Sequence, residues 1–148
     1  MKIAAALQSV QRLYIETAPF IYFIETHPTY IKRMNTVIEA VENNPIEAFS
    51  SVITLTEVLN QPLKMGNEML AQAYRDILIN SGGYQLIPVN TIIAEAAADL
   101  RARYSLRTPD ALHVASAINA ACDAFLTNDM SIKRVTELPI LSLDELEP

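Results

Sequence analysis

The sequence predicts an α/β fold with three layers, in which a central parallel sheet lies between helices on both of its faces. Short apolar stretches alternate with amphipathic stretches of helical period along the chain. Strands that are separated by helices pair in parallel, and helices then cover both faces of the sheet. The chain has 148 residues, of which 51% are hydrophobic and 19% charged, so it has the size and apolar content of one domain.

Four apolar stretches are the predicted strands, at residues 12–15, 49–53, 84–89 and 124–126, and a last apolar segment covers residues 138–143. Stretches of helical period lie between them, at residues 19–26, 29–43, 67–79, 91–104 and 129–135. Two further helices are predicted from their ends. One starts beside Thr54 and meets Pro62 near its end, and the other opens with Thr108 as N-cap and Pro109 as first helical residue, and ends near residue 121. The pair Gly82 and Gly83 is expected to end the helix 67–79.

No linker or internal repeat interrupts this pattern, so we expect a single domain over residues 1–148, with a core of about residues 12–143. The single Cys122 excludes a disulfide framework and a cysteine-based zinc site, and a lone thiol suits a reducing compartment. The apolar run at residues 3–7 is too short for a signal peptide, and no stretch is suited to cross a membrane. We therefore expect a cytoplasmic protein.

The net charge is −6, from 11 basic and 17 acidic residues. This balance argues against a protein that coats nucleic acid by bulk attraction. It does not exclude an enzyme that holds nucleic acid at a single cation-filled site, because a bound divalent cation inverts the local charge. Only three Gly residues are present, which disfavours a Gly-rich phosphate loop and so a nucleotide-binding protein or dehydrogenase.

Four carboxylates are predicted to meet at one edge of the sheet. Glu16 and Asp129 follow predicted strands, Glu57 lies early in the helix after the second strand, and Asp110 lies in the first turn of its helix. In open parallel sheets, ligands bind beyond the carboxyl ends of the strands. Such a cluster of like charges requires cations, and a set of oxygen ligands without His or Cys favours Mg²⁺ or Mn²⁺.

Each acid also has a structural explanation that involves no site. Thr54 and Glu57 match the spacing of a capping box, in which Glu57 bonds back to the backbone of Thr54. Asp110 would complement a helix dipole, Asp129 would be an N-cap, and Glu16 would be an ordinary residue at a strand end.

Four local segments resemble the motifs of PIN-domain nucleases. The first two are LYIETAPFIY (residues 13–22) and SVITLTEVL (residues 51–59). The third, TPDALHVASA (residues 108–117), is close to the pattern Asp-Ala-Leu-x-x-Ala-x-Ala, and the fourth, DAFLTND (residues 123–129), is similar to a strand that ends in Thr-Asn-Asp. Motif order and spacing agree from about Arg12 to Leu143. A short chain of this kind looks most like the VapC toxins of toxin–antitoxin pairs.

The resemblance implies a metal-dependent ribonuclease. Glu16, Asp110 and Asp129 would hold one or two Mg²⁺ or Mn²⁺ ions, and Glu57 would be an additional or supporting ligand. In this family the first acid is usually Asp. The longer Glu16 moves its carboxylate by about 1 Å or more, which matters for Mg²⁺ because that ion tolerates little geometric error.

Polar neighbours of the acids complete the expected site. Thr17, Thr127 and Asn128 would orient the carboxylates or contact RNA, while the two threonines are equally suited to be helix caps. Arg107 would bind RNA phosphate, and the same role is open to two further arginines that would otherwise complement a helix end, Arg101 and Arg103.

Two other polar residues are expected to lie outside the site. His113 lies in an apolar helix and is expected to be a packed core residue, and not a general base. Asp123 precedes its strand and is expected at the opposite end of the sheet from Asp129.

Three functions follow from these observations. The first is an endoribonuclease that is the toxin of a type II toxin–antitoxin pair, with RNA as substrate, an antitoxin protein as partner, and a homodimeric state. The second is an RNA-processing nuclease without an antitoxin, and the third is a catalytically silent binding module, which Glu16 favours. The helix around residues 19–24 is apolar on nearly every side, so it is either core or the surface that meets a partner.

Overall fold

Five parallel strands form the central sheet of the protein, which we describe from a computed structural model covering residues 1–148. The strands are β1 (Arg12–Ile15), β2 (Glu47–Ser51), β3 (Tyr84–Ile87), β4 (Ala124–Thr127) and β5 (Ile140–Ser142). Their order across the sheet is β3-β2-β1-β4-β5, and each neighbouring pair is parallel. Parallel neighbours require crossover connections, which explains the helices between them.

Seven α-helices surround the sheet. They are α1 (Ile3–Ala6), α2 (Thr17–Ile24), α3 (Ile31–Asn43), α4 (Val52–Lys64), α5 (Glu68–Arg75), α6 (Thr91–Tyr104) and α7 (Thr108–Asn119). A π-helical turn (Asp76–Asn80) extends α5, and two short 3₁₀ helices follow β4 and β5, at Met130–Arg134 and Leu143–Glu145. None of these helices combines the length and the apolar character needed to cross a membrane.

The two faces of the sheet carry separate apolar cores. Leu13 and Ile15 of β1 are buried against residues of α1 to α5, whereas Tyr14 between them is buried on the other face against residues of α6 and α7. This alternation follows from the period of two in a strand. Tyr14 also stacks on Phe125 of β4, with ring centroids 4.9 Å apart. Helices thus cover both faces, which confirms the predicted three-layer fold.

The boundary between β2 and α4 differs from the prediction. The strand expected at residues 49–53 is Glu47–Ser51, because the helix already begins at Val52. The hydroxyl of Ser51 accepts a hydrogen bond from the Ile53 backbone N–H at 3.0 Å and caps the helix. Two β-branched residues, Val52 and Ile53, suggested a longer strand. The capping box at Thr54 is therefore wrong, since Thr54 is the third residue of the helix.

The helices that follow β1 and precede β4 also start at other residues than expected. α2 begins at Thr17 and not at residue 19, directly after Glu16, and it tolerates Pro19 in its first turn. Thr108 is not the N-cap of α7: Arg107 holds that position in extended conformation, and Thr108 is the first helical residue. Asp110 consequently lies one position deeper in the helix than the prediction implied.

The remaining differences are small shifts at element ends. α3 begins at residue 31 and not 29, α5 gives way to the π-helical turn after residue 75, and β3 ends at residue 87 and not 89. The sequence did not predict α1, because four residues are too few to display helical period. Gly82 adopts a left-handed φ of +70° in the turn before β3, so it forms the turn that the sequence assigned to the glycine pair.

Candidate active site

The carboxyl ends of β1 and β4 form the place where the order of the strands reverses. From β1 the chain builds β2 and β3 on one side, and then it returns to place β4 and β5 on the other side. Parallel sheets bind ligands at such a switch point, because the chain leaves the two central strands in opposite directions and opens a crevice. Glu16 follows β1 directly, and Asn128 and Asp129 follow β4.

Thr127, the last residue of β4, links two of the predicted acids. Its hydroxyl donates a hydrogen bond to the Glu16 carboxylate and accepts one from the Asp129 backbone N–H at 2.9 Å. Thr127 is fully buried, and Glu16 is only 6% exposed. The threonine therefore fixes the Glu16 side chain and the backbone of Asp129 relative to each other.

Glu16 lies in an unusual electrostatic environment for a glutamate. Burial raises the pKa of Glu16 to about 7, against the opposing effects of the His113 charge and the hydrogen bond from Thr127. The charges of Asp110 and Asp129 raise this pKa further. The charges of the three carboxyl groups thus act on one another at this end of the sheet.

Arg107 supplies positive charge to two of these acids. Its Nε donates to Asp110 Oδ2 at 3.0 Å, and its Nη2 lies 3.4 Å from Asp110 Oδ1 and 3.9 Å from Asp129 Oδ2. The Asp110 side chain is buried, whereas the Arg107 side chain is 76% exposed. The guanidinium thus lies over the acids from the solvent side and bridges them.

Glu57 of α4 is held in place by two polar side chains. Thr17 donates its hydroxyl proton to Glu57 Oε1 at 2.9 Å, and His113 Nε2 lies 2.7 Å from the same oxygen. Burial by itself would raise the pKa of Glu57, but the hydrogen bond and charge of His113, the hydrogen bond from Thr17 and the charge of Arg107 together lower it. Glu57 is therefore an ionised group, and the structure does not use it to cap α4.

His113 connects this carboxylate to the centre of the sheet. Its ring is 1% exposed, and its Nδ1 lies 2.6 Å from the hydroxyl of Tyr14 on β1. Because the Glu57 carboxylate accepts from Nε2, a neutral His113 carries its proton there and accepts from Tyr14. The sequence correctly predicted a packed residue, but not its contacts with Glu57 and Tyr14. The spacing of three residues between Asp110 and His113 indicated only that both lie on one helix face.

The sequence also missed two buried hydroxyl groups beneath Glu57. Thr54 Oγ1 lies 3.2 Å from Thr17 Oγ1 and 2.8 Å from Ser50 Oγ, and both Thr54 and Ser50 are fully buried. Ser50 Oγ also lies 2.8 Å from the Ile15 carbonyl oxygen. These groups continue the hydrogen-bonded chain from Glu57 down to the backbone of β1, and they orient Thr17.

Asn128 is placed beside the carboxylates rather than among them. Its Oδ1 accepts from the Asp144 backbone N–H at 3.1 Å, and its Nδ2 lies 3.4 Å from the Tyr22 hydroxyl. Asp129 itself caps the 3₁₀ helix after β4, because its Oδ1 accepts from the Ser131 backbone N–H at 2.9 Å. Asp129 thus has the capping role expected from the sequence, and it also lies near Asp110, because Arg107 contacts both acids.

Other polar residues considered in the sequence lie elsewhere. Arg103 pairs with Asp99 and Glu137, at 2.9 and 2.7 Å, and Arg101 Nε donates to the Leu106 carbonyl oxygen. Both side chains are thereby engaged with neighbouring residues and not with the carboxylates. Asp123 accepts hydrogen bonds from backbone N–H groups at the start of β1, at the amino end of the sheet.

The acids meet only part of what a divalent cation requires. No group of three or more His, Cys, Asp or Glu side chains stands in an arrangement that could hold a metal ion, and Arg107 bridges Asp110 and Asp129. The chemistry of the acids nevertheless fits Mg²⁺ or Mn²⁺, because they offer hard carboxylate oxygens and their charges raise the pKa of Glu16. The Arg107 side chain that pairs with these two acids is 76% exposed and approaches them from the solvent side.

Comparisons with known proteins agree with the fold. A family model described as PIN domain matches residues 13–138. No curated protein matches the sequence.

Several solved structures share the architecture. One is the crystal structure of VapBC2 from Rickettsia felis bound to a DNA fragment from their promoter, with 20% identity, a TM-score of 0.69, and coverage of 88% of this chain and 98% of that chain. A toxin–antitoxin complex from Klebsiella pneumoniae has 21% identity and a TM-score of 0.66, and the alignment covers 88% of this chain and 97% of that chain. DNA-bound VapBC from Salmonella typhimurium has 16% identity and a TM-score of 0.70, with coverage of 90% and 98%. At these identities the likeness establishes a shared fold.

Proposed function

The chain belongs to the PIN domain family, whose model spans residues 13–138, and on this premise we propose that it is a metal-dependent endoribonuclease. We further propose that it is the toxin of a type II toxin–antitoxin pair that acts on RNA in the cytoplasm. The observation that carries the proposal is that Glu16, Asp110 and Asp129, from distant parts of the chain, interact at the switch point of the sheet, with Arg107 beside two of them. A structural role alone would not require this concentration of charge.

Glu16, Asp110 and Asp129 are the residues that would hold Mg²⁺ or Mn²⁺. When bound, the cation would lower the pKa of a water molecule and stabilise negative charge on the scissile phosphate. Thr127 joins the end of β1 to the end of β4, and it thereby holds Glu16 and Asp129 at fixed positions relative to each other. Glu57 would support this set with a carboxylate that His113 and Thr17 hold ionised.

Arg107 would bind RNA phosphate during the reaction. Its planar guanidinium already makes a two-pronged contact with the Asp110 carboxylate, and phosphate oxygens suit the same geometry. Its side chain is 76% exposed, so a phosphate group of the RNA could reach its guanidinium from solvent. Asn128 and Thr17 lie at the margin of the same site and would orient its groups or contact the RNA.

An antitoxin protein is the proposed partner, and a homodimer is the proposed state. Support for the antitoxin comes from the similar structures, one of which is described as a toxin–antitoxin complex and two of which are described as VapBC2 and VapBC bound to DNA. The apolar helix α2 packs against the sheet through Phe20 and Pro19, while its other apolar side chains are partly exposed. That exposed part of α2 remains available for contact with another protein.

The proposal is tested by incubating total RNA with the purified protein in Mg²⁺, in Mn²⁺ and in EDTA. We expect discrete cleavage that requires a metal ion and that Asp110→Asn reduces by about 100-fold or more, because the variant removes one proposed ligand. Asp123→Asn is the matched control, since it makes the same change at the opposite end of the sheet. Equal cleavage by Asp110→Asn and wild type would contradict the proposed site.

A catalytically silent binding module is the second candidate. The bridge from Arg107 to Asp110 and Asp129 and the lack of an assembled three-ligand group favour it. In that case the wild-type protein binds RNA or a partner protein but cleaves nothing in any metal. Recovery of cleavage in Glu16→Asp would then identify the length of the Glu16 side chain as the cause.

A further inference from the structure

Three aromatic rings lie next to the candidate active site and belong to none of its proposed roles. Tyr22 at the end of α2 stacks on Tyr30, with ring centroids 4.3 Å apart and planes 18° from parallel. His27, in the turn between them, lies 4.9 Å from the Tyr22 ring and 5.0 Å from the Tyr30 ring. We call these three residues the aromatic cluster. All three rings are partly exposed to solvent.

The aromatic cluster is tied to the edge of the sheet where the carboxylates lie. The Tyr22 hydroxyl lies 3.4 Å from Asn128 Nδ2, and Asn128 immediately precedes Asp129. The Tyr30 hydroxyl donates to Asp144 Oδ1 at 2.7 Å, and the Asp144 backbone N–H donates back to Asn128. Tyr22 lies on α2, the helix that starts directly after Glu16. The aromatic cluster is therefore connected to Glu16 through α2 and to Asp129 through Asn128.

The charges around the aromatic cluster are mixed. The Arg33 guanidinium lies 5.6 Å from the Tyr30 ring and is held by the Leu146 carbonyl oxygen at 2.8 Å. Asp144 provides a negative charge at the Tyr30 hydroxyl. A ligand that binds there would depend on contact with the ring faces and with Arg33 more than on bulk electrostatic attraction. Nucleic-acid bases that stack on aromatic rings bind in this way.

We propose that the aromatic cluster, with Arg33, is a stacking subsite for an unpaired base of single-stranded RNA beside the scissile phosphate. This inference rests on the proposed ribonuclease activity and adds to it the kind of RNA that the site accepts. A base in a duplex already has both faces covered by its neighbours, whereas an unpaired base can stack on tyrosine. The subsite therefore selects unpaired regions of RNA and holds a nucleotide at a fixed distance from the carboxylates.

Three variants separate stacking from packing. Tyr22→Leu keeps an apolar side chain against the core and removes the aromatic face, and Tyr22→Phe keeps the ring and removes only the contact with Asn128. Tyr104→Leu is the matched control, because Tyr104 is also partly exposed and also has an arginine beside its ring, Arg103 at 5.0 Å. The Tyr104 hydroxyl contacts Thr136 and Glu137 and none of the site residues.

Binding of a labelled single-stranded oligoribonucleotide of mixed sequence is measured by fluorescence anisotropy in EDTA, so that no cleavage occurs. We expect Tyr22→Leu to weaken binding by about tenfold, and Tyr22→Phe and Tyr104→Leu to change it by less than about twofold. In the cleavage reaction with Mg²⁺ or Mn²⁺, Tyr22→Leu should raise KM and leave kcat nearly unchanged. The same oligonucleotide annealed to its complement should bind all variants equally.

A tryptophan variant gives a direct signal that does not depend on loss of binding. The chain has no Trp, so Tyr22→Trp introduces a single indole, and we expect its fluorescence to be quenched by the single strand and not by the duplex. Tyr104→Trp should show no quenching. Wild-type cleavage with unaltered KM in Tyr22→Leu and no quenching in Tyr22→Trp would overturn the subsite alone. A wild type that neither binds nor cleaves RNA would overturn the proposed function, and this inference with it.

Discussion

The side chain of Glu16 makes one contact that depends on its length. It leaves the end of β1 and reaches the hydroxyl of Thr127, which in turn accepts from the backbone N–H of Asp129. An aspartate is shorter by one methylene, so we expect it to weaken the contact with this hydroxyl. The glutamate at this position, where the resembled motif usually has aspartate, is thus held by a buried polar contact.

Glu16 should make the free energy of unfolding depend on pH. Burial raises its pKa to about 7 from an ordinary value of 4.5, so between these two pH values the folded state keeps a proton that the unfolded state has lost. Stability therefore falls as pH rises from about 4.5 to about 7. In EDTA, the Glu16→Gln variant should be more stable than wild type by about 3 kcal/mol above pH 8, with little difference below pH 4.5.

Urea denaturation at a series of pH values measures this difference. Glu39→Gln is the control, because Glu39 is an exposed residue of α3 and its replacement should give a pH-independent difference near zero. A constant difference between wild type and Glu16→Gln across the pH range would show that Glu16 does not titrate in this way.

At the scale of the elements, one buried histidine joins a strand to two helices. His113 of α7 contacts the Tyr14 hydroxyl of β1 and the Glu57 carboxylate of α4, and it is almost fully buried. Buried polar groups are stable only while each has its partner. The relative position of α4 and α7 across the end of the sheet is consequently fixed by a polar contact in addition to apolar packing.

A double-mutant cycle tests this contact. His113→Leu should lower the free energy of unfolding by about 2 kcal/mol or more, because it leaves the Tyr14 hydroxyl buried without a partner. Tyr14→Phe alone should cost about 1 kcal/mol or more, since the His113 Nδ1 then has no donor. The double variant should cost clearly less than the sum of the two, because it removes both partners together. Strictly additive losses in urea denaturation would exclude a coupled pair.

At the scale of the whole molecule, the site exists only in the folded chain. Its proposed acids follow the ends of β1 and β4 or lie in α4 and in the first turn of α7, and they are up to about 110 residues apart in sequence. A cation that binds this set binds the folded state and not the unfolded chain, so it shifts the folding equilibrium. The net charge of −6 favours the binding of cations. In the structure, the Arg107 guanidinium supplies positive charge beside Asp110 and Asp129.

Mn²⁺ should therefore raise Tm relative to EDTA. At a concentration of about 100 times Kd the stabilisation is about 2.7 kcal/mol, which corresponds to roughly 5–10 °C in a chain of this size. Asp110→Asn should abolish the shift, whereas Arg107→Gln should produce it at lower Mn²⁺ concentration because no guanidinium then competes for the acids. Scanning calorimetry or dye-based melting measures both, and an identical Mn²⁺ response in wild type and Asp110→Asn would contradict cation binding at this site.

The sequence determined the order of the elements and most of their positions. The spacing of apolar residues identified β1, α6 and most of α3, because the pattern of a long or strongly periodic segment can be recognised from its own residues. The end of β2 was wrong by two residues because Val52 and Ile53 suit a strand, and a single hydroxyl, that of Ser51, decides where the helix begins. The expectation of one domain over the whole chain stays a prediction.

Part of the candidate site was likewise predictable. The positions of Glu16, Asp110 and Asp129 after strands or in a first helical turn predicted that they would meet, and their charges do act on one another in the structure. Thr127 was expected to orient a carboxylate, and it does contact Glu16. The contact of His113 with Glu57 and the pairing of Arg107 with Asp110 and Asp129 were not predicted, because no local pattern in the sequence specifies them.

The sequence by itself thus determined the layered fold, because burial of apolar faces follows from residue order at short range. The tertiary structure alone decided which hydroxyl, imidazole or guanidinium each acid meets, and hence that Glu16 is nearly buried, Glu57 is ionised and Asp110 faces Arg107. The physical reason is range: helical and strand period depend on neighbours within a few residues, whereas the charge state of a side chain depends on whatever the fold brings within a few ångströms.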